Sequence, residues 1–216
     1  MASKTILASV CLLAAVALAA PLPAAAQADA ARGEALFDLC TQCHGPQGGG
    51  NEVTLAPSIA GMSQWYVENQ LHNFRKGVRG SHPGDVGGMR MRPMALTLAS
   101  DEDVAAVAAY VASLSPARPA PVLAGGDPER GRVIFTPCIA CHGPDGAGNE
   151  PLHGAPLRRS SDWYLFTQLQ NFKSGVRGTN PADAFGALMR PMAATLADDQ
   201  AMLDVIAYIM TLADDQ

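Results

Sequence analysis

Four stretches of the chain carry apolar residues at helical spacing. Val67, Leu71 and Phe74 recur at i, i+4 and i+7, as do Leu165, Leu169 and Phe172, so each stretch presents one apolar stripe to a core. Val104, Val107, Ala108 and Val111 form a third stripe, and Met202, Val205, Ile206 and Ile209 a fourth. Ser100 and Asp198 stand just ahead of these last two as N-caps, because their side-chain oxygens can take amides that a first helical turn leaves unpaired. Asp127 followed by Pro128 reads as a further helix start, since proline at the first helical position has no amide to leave unpaired. The rest is rich in Gly and Pro, and no stretch alternates with a period of two long enough to argue for a sheet. The pattern predicts an all-α protein.

The stripes repeat. Shifting the chain against itself by 98 residues superposes Trp65-Tyr66 on Trp163-Tyr164, Asn73-Phe74 on Asn171-Phe172, and Gly77-Val78-Arg79-Gly80 on Gly175-Val176-Arg177-Gly178. It also superposes Met91-Arg92-Pro93-Met94-Ala95 on Met189-Arg190-Pro191-Met192-Ala193. A gapless match of this kind is tandem duplication of one domain. Each copy reads as a short helix, a Cys-x-x-Cys-His motif, a Gly/Pro loop, a middle helix, a second irregular loop holding two methionines, and a last helix. Residues 115–126, rich in Pro and Ala and ending in Gly125-Gly126, read as an extended linker lying across the surface. The domains expected are 29–114 and 127–216.

Ahead of the first copy stand Lys4, the apolar run Ile6 to Ala20, Pro21, Pro23 and the small-residue site Ala26-Gln27-Ala28. This is the pattern of a secretory signal, residues 1–28, whose removal leaves the chain in the periplasm. The apolar run is shorter than the ~20 residues that span a bilayer comfortably, so no stable membrane insertion is expected; an uncleaved anchor is the alternative use of the same run. Cys11 lies inside the segment and is expected to be discarded with it. The 216 residues carry 15 Lys+Arg against 20 Asp+Glu, a formal net charge of −5. That balance argues against nucleic-acid binding, which draws on a basic surface, and for a soluble protein that meets partners through local patches.

The other four cysteines sit in Cys40-Thr41-Gln42-Cys43-His44 and Cys138-Ile139-Ala140-Cys141-His142. A zinc ribbon would need further thiols nearby, and a thioredoxin-like dithiol a βαβ context, whereas these flanks are helical and glycine-rich. Two thiols at this spacing can add to the two vinyl groups of one haem, with the adjacent histidine positioned to bind the iron. Two covalently bound haem c groups are therefore expected, joined to Cys40 and Cys43 and to Cys138 and Cys141, with His44 and His142 as iron ligands. With every remaining thiol so engaged, an oxidising compartment implies no disulfide.

The occupant of the second axial position sets the chemistry, because methionine raises the potential and closes the iron while an open site permits peroxide or oxygen chemistry. The methionines shared by both copies are Met91 or Met94 and Met189 or Met192; Met62 and Met89 align with Ser160 and Ala187. Histidines do not repeat: His72, His82 and His153 align with Gln170, Asn180 and Leu55. The proline in each Met-Arg-Pro-Met stiffens the segment and lowers the entropy lost when a thioether binds. Pattern alone leaves the two methionines of each pair equal.

These residues resemble the class I cytochromes c, and specifically the diheme cytochrome c4 family. The resemblance covers nearly all of the chain after the signal. It rests on two Cys-x-x-Cys-His-Gly-Pro-x-Gly motifs, two Tyr-x-x-x-Gln-Leu-x-x-Phe-x-x-Gly-x-Arg segments beginning at Tyr66 and Tyr164, and two late methionines. It implies two tandem class I cytochrome c domains, each with one covalent haem, lying close enough for electrons to pass between them. The family's Met-x-x-x-Ala-x-x-Leu form selects Met91 ahead of Ala95 and Leu98, and Met189 ahead of Ala193 and Leu196, as axial ligands. It implies too that Gly33 and Gly131 let the first helix cross the last against Tyr110 and Tyr208, and that Arg79 and Arg177 approach haem propionates. A proline carbonyl, Pro57 in the first copy, would accept a hydrogen bond from the ligand histidine. The second copy departs there, with Pro156 displaced by one residue and Arg159 where Gly61 stands, so a differently shaped loop is expected.

The function implied is a periplasmic electron carrier rather than an enzyme. Its partners would be membrane respiratory complexes or dehydrogenases, with a bc1-type complex or dehydrogenase as donor and a terminal oxidase or reductase as acceptor. A dedicated cytochrome subunit of a dehydrogenase or oxidase complex is the alternative. A diheme peroxidase needs one iron that can open, and two similarly placed methionines argue against it.

Overall fold

The computed structural model describes residues 24–117 and 119–212. Of the expected signal segment, residues 1–23 lie outside the described residues and 24–28 belong to the first helix. The first copy comprises α1 (Ala24–His44), α2 (Gln64–Arg75), α3 (Val86–Leu96) and α4 (Asp101–Ser113). The second comprises α5 (Pro128–Ile134), α6 (Ile139–His142), α7 (Asp162–Ser174), α8 (Ala184–Ala194) and α9 (Asp199–Ile209). Among the described residues the only β pairings are isolated bridges, Asn51 with Ala56 and Asn149 with Gly154.

The caps act as expected. Ser100 Oγ accepts the Asp103 amide at 3.2 Å, and an Asp198 carboxylate oxygen accepts the Ala201 amide at 2.9 Å. Asp127 takes the amides of Glu129 and Arg130, at 2.9 and 3.2 Å. The copies differ in their first helix. α1 runs unbroken to His44, whereas in the second copy Pro137 stands where Leu39 stands in the first and withdraws an amide from the helical ladder. Thr136–Cys138 accordingly form a short 3₁₀ turn between α5 and α6.

One expectation is corrected. The Met-Arg-Pro-Met segments are not loops: they lie inside α3 and α8, which contain Pro93 and Pro191. Asp85 and Asp183 nucleate these helices by accepting the amides of Gly88 and Gly186, at 3.0 and 2.9 Å. A Cβ on Gly88 would lie 2.0 Å from the Asp85 carboxylate, so glycine lets the cap sit this close to the turn without shifting.

Each copy has its own core. Phe37, Leu98, Val104, Val107 and Val111 fill the first; Phe135, Leu165, Leu196, Met202, Val205, Ile206 and Ile209 fill the second. The crossings of α1 with α4 and of α5 with α9 rest on glycine: a Cβ on Gly33 would lie 2.3 Å from the Ala106 carbonyl oxygen, and one on Gly131 1.9 Å from that of Asp204. Phe37 packs on Tyr110 and Phe135 on Tyr208, with ring centroids 5.2 and 5.4 Å apart. The flanking ion pairs diverge. Arg32 Nε donates to Asp103 and its repeat equivalent Arg130 to Asp204, both at 2.7 Å, so the acid has moved one turn along the last helix.

The described residues of 115–126 carry no helix. They are fastened to the second copy, where the amides of Val122 and Leu123 both donate to Asp162 at 2.7 Å and Gln200 donates to the Gly125 carbonyl at 2.8 Å. No helix among the described residues is long and apolar enough to cross a membrane.

Candidate functional site

In the first copy α1 delivers Cys40, Cys43 and His44 within its last five residues, and α3 brings Met91 to the same cavity wall. A cavity of about 250 Å³ is lined by His44, Ile59, Val67, Leu71, Phe74 and Met91 among others. A smaller one of about 90 Å³ shares His44, Ile59 and Met91 and adds Cys40, Cys43 and Met94. Met94 lines only the smaller cavity and is 37 % exposed, and Met89 is 41 % exposed. The four residues expected around the first haem, Cys40, Cys43, His44 and Met91, are thus gathered; Met91, unlike Met94, lines both cavities, and the buried Met62 lines the larger one beside it.

His44 is buried, with Nδ1 2.8 Å from the Pro57 carbonyl oxygen. A carbonyl can only accept, so Nδ1 carries the proton and Nε2 keeps its lone pair, which is the tautomer a metal requires. Burial pushes the histidine pKa below its ordinary value, against the opposing pull of that carbonyl, and the ring stays neutral. Burial also pushes the Cys40 thiol up to about 11. None of the four motif cysteines is in a disulfide.

The second copy reproduces this geometry with a substitution that corrects the sequence reading. His142 Nδ1 lies 2.8 Å from the Ala155 carbonyl oxygen, and Ala155 is the repeat equivalent of Pro57. The acceptor is a backbone atom, so losing the proline ring at that position leaves the bond in place; Pro156 is not the partner. Burial lowers the His142 pKa and raises that of Cys138. Met189 and Met192 on α8 are both half-buried, so exposure does not separate them as it separates Met91 from Met94.

Between the copies lies a polar seam that the repeat had marked only as recurring residues. Arg79, 4 % exposed, donates to Gln70 at 2.6 Å and crosses to the second copy, to the Tyr164 hydroxyl at 3.2 Å and Gln168 at 3.4 Å. Arg177 donates to Gln168 at 2.7 Å. Each guanidinium also lies 4.4 Å above a phenyl ring, Phe74 or Phe172. Burial, with Tyr164 close by, pushes the Tyr66 hydroxyl up to about 12. Sequence reasoning used Tyr66, Gln70, Tyr164 and Gln168 only as marks of the family resemblance and gave them no role at the seam; their signal was polar side chains repeated beside an apolar stripe.

Two features of this seam test its fit to haem c. The Nε atoms of Arg79 and Arg177 are buried without a hydrogen-bond partner, and neither arginine belongs to a salt bridge among the described residues. Buried cations with no anion in direct contact are costly, and the larger cavity runs from His44 to Arg79, Asp85, Tyr164 and Gln168. An apolar chamber with a neutral histidine on its wall and cations at its end fits an iron porphyrin bearing carboxylates.

Comparison with known proteins gives the same answer. The Cytochrome c family model matches residues 30–115 and again 128–213. A cytochrome c4 from Azotobacter vinelandii is 33 % identical over 87 % of this chain and 90 % of its own. A thiosulfate dehydrogenase electron acceptor from Stutzerimonas stutzeri (strain A1501) is 33 % identical over 77 % of this chain and 82 % of its own. The crystal structure of reduced recombinant cytochrome c4 from Pseudomonas stutzeri superposes with a TM-score of 0.66 at 27 % identity, covering 85 % of this chain and 98 % of that one. With two family domains in tandem, a Cys-x-x-Cys-His motif for one covalent haem c in each, and these relatives along its length, the chain belongs to the diheme cytochrome c4 family of the cytochromes c.

Proposed function

We propose that this cytochrome is a periplasmic single-electron carrier, exported by residues 1–28 and built as domains 29–114 and 127–216 about the linker 115–126. Its haems are joined to Cys40 and Cys43 and to Cys138 and Cys141, with His44 and Met91, and His142 and Met189, as axial ligands. The observation that supports this most is the histidine geometry: in both copies Nδ1 meets a backbone carbonyl at 2.8 Å at the same repeat position, which fixes the ring and leaves Nε2 for the iron. When bound, haem c supplies a one-electron Fe(III)/Fe(II) couple.

The chain's own residues decide how that couple is used. Apolar walls from Ile59, Val67, Leu71 and Phe74 exclude water, which favours the state of lower charge and so a high potential. Met91 and Met189 would hold the haem irons from the side opposite the histidines, which would leave no site for a substrate to bind. Arg79 and Arg177 supply the counter-charge for propionates, where a guanidinium matches a carboxylate well. Leu39, 44 % exposed, and Met94, 37 % exposed, stand with Cys43 at the mouth of the smaller cavity. An apolar mouth suits transient contact with a redox partner.

The donor on this reading is a bc1-type complex or a dehydrogenase, and the acceptor a terminal oxidase or reductase. A second reading, a dedicated acceptor for one dehydrogenase, is favoured by the relative that is a thiosulfate dehydrogenase electron acceptor. A pyridine haemochrome assay tests the shared core of both readings: two haems per chain are expected, and one or none defeats it. Rapid reduction of the oxidised protein by thiosulfate with a catalytic amount of thiosulfate dehydrogenase would favour the second reading; reduction only by quinol through a bc1-type complex would favour the first.

A further inference from the structure

We propose that Ser161, a residue of the second domain, tunes the iron site of the first by polarising the peptide unit that receives the His44 hydrogen bond. The inference rests on His44 being an axial ligand. The Pro57 carbonyl oxygen that lies 2.8 Å from His44 Nδ1 and the Ser58 amide are two ends of one peptide bond. That amide donates across the domain boundary to Ser161 Oγ at 3.1 Å, with Ser58 and Ser161 only 0 % and 2 % exposed. Hydrogen bonds in series strengthen one another, most of all in a dry interior. Donation from Ser58 to Ser161 makes the Pro57 oxygen a better acceptor, which draws the His44 proton toward it, raises the basicity of the ring and stabilises the oxidised iron. The effect lowers the first potential.

The second copy cannot do this. His142 bonds the Ala155 carbonyl at the same 2.8 Å, but the peptide's other end is Pro156, which has no amide hydrogen to donate. The two histidine sites therefore match at the first hydrogen bond and differ one peptide bond behind it. A Ser-to-Pro difference at one repeat position, together with a serine reaching across the seam, sets the two sites apart. The first potential also depends on the domains being docked.

Redox titration followed by NMR, which reads the two haems separately, tests the proposal on the intact diheme protein. Ser161→Ala should raise the first haem's potential by an amount equal to about two- to tenfold in its reduction equilibrium, tenfold being about 59 mV for one electron, and leave the second unmoved. Ser161→Thr, which keeps the hydroxyl, should return the first potential toward its original value. In the unaltered reduced protein the Nδ1 proton of His44 should resonate further downfield than that of His142, so the proposal stands or falls even if a variant does not fold. Unmoved potentials in Ser161→Ala, equal movement of both, or an upfield His44 proton would overturn it. Loss of the histidine–methionine spectrum of the first haem in the unaltered protein would instead defeat the ligand assignment beneath it.

Discussion

Arg79 of the first domain lies 3.2 Å from the Tyr164 hydroxyl of the second, through Nη2. The donor is charged and buried, so removing its acceptor costs more than a neutral hydrogen bond would. Tyr164→Phe should destabilise the domain seam by about 1.5–3 kcal/mol, read as a lower denaturant midpoint. An unchanged midpoint would mean that this hydrogen bond contributes nothing to holding the domains together.

The methionine assignment has a spectroscopic test. Met91→Ala and Met189→Ala should each abolish the methionine-to-ferric-iron charge-transfer band of one haem and leave that of the other. Met94→Ala, at a position 37 % exposed, should leave both bands. Loss of a band in Met94→Ala or Met192→Ala would reverse the choice.

Glycine at the helix crossings is a steric requirement. Gly131→Ala would set a Cβ 1.9 Å from the Asp204 carbonyl oxygen, and Gly33→Ala one 2.3 Å from that of Ala106. Both obstacles are backbone and cannot swing aside, so each change should cost at least the roughly 1–3 kcal/mol of ordinary overpacking, Gly131→Ala the more. Calorimetric melting of the two variants checks the order, and an unshifted transition in Gly131→Ala would contradict the crossing described.

These crossings also show how much was legible in the sequence. Helical stripes, caps at Ser100, Asp127 and Asp198, the duplication and the cysteine and histidine sites follow from spacing, because local chemistry sets them. The helices around Met91 and Met189 did not follow. Pro93 and Pro191 are poor helix formers, and Gly87-Gly88 before the first hides a start that Asp85 creates by folding its carboxylate back. The role of Ala155 was hidden for another reason: the atom that matters is a carbonyl, which every residue has, so the displaced proline misled. Contacts between copies, such as Arg79 with Tyr164 and Ser58 with Ser161, are absent from any pattern within one copy.

Acid stability should be partly set by Asp204. Its carboxylate takes Arg130 Nε at 2.7 Å, the Asp127 amide at 2.8 Å and Gln200 at 2.8 Å, and the Arg130 bonds above all hold its pKa far below the usual carboxylate range. A depressed folded pKa contributes stability that is fully present above the unfolded value, about 3.9, and is lost as pH falls toward the folded one. The stability difference between the parent and Asp204→Asn should therefore be constant above about pH 5 and shrink below about pH 4. Unfolding midpoints measured across that range check it; a difference that grows on acidification would contradict the assigned partners.

The central claim, a carrier of two single electrons with both irons closed, is tested most directly by anaerobic coulometric titration of the oxidised protein with optical detection. The account predicts uptake of two electrons per chain in one-electron steps, with a low-spin histidine–methionine spectrum in both oxidised haems throughout. Uptake of a single electron, or a five-coordinate haem at any stage, would contradict it.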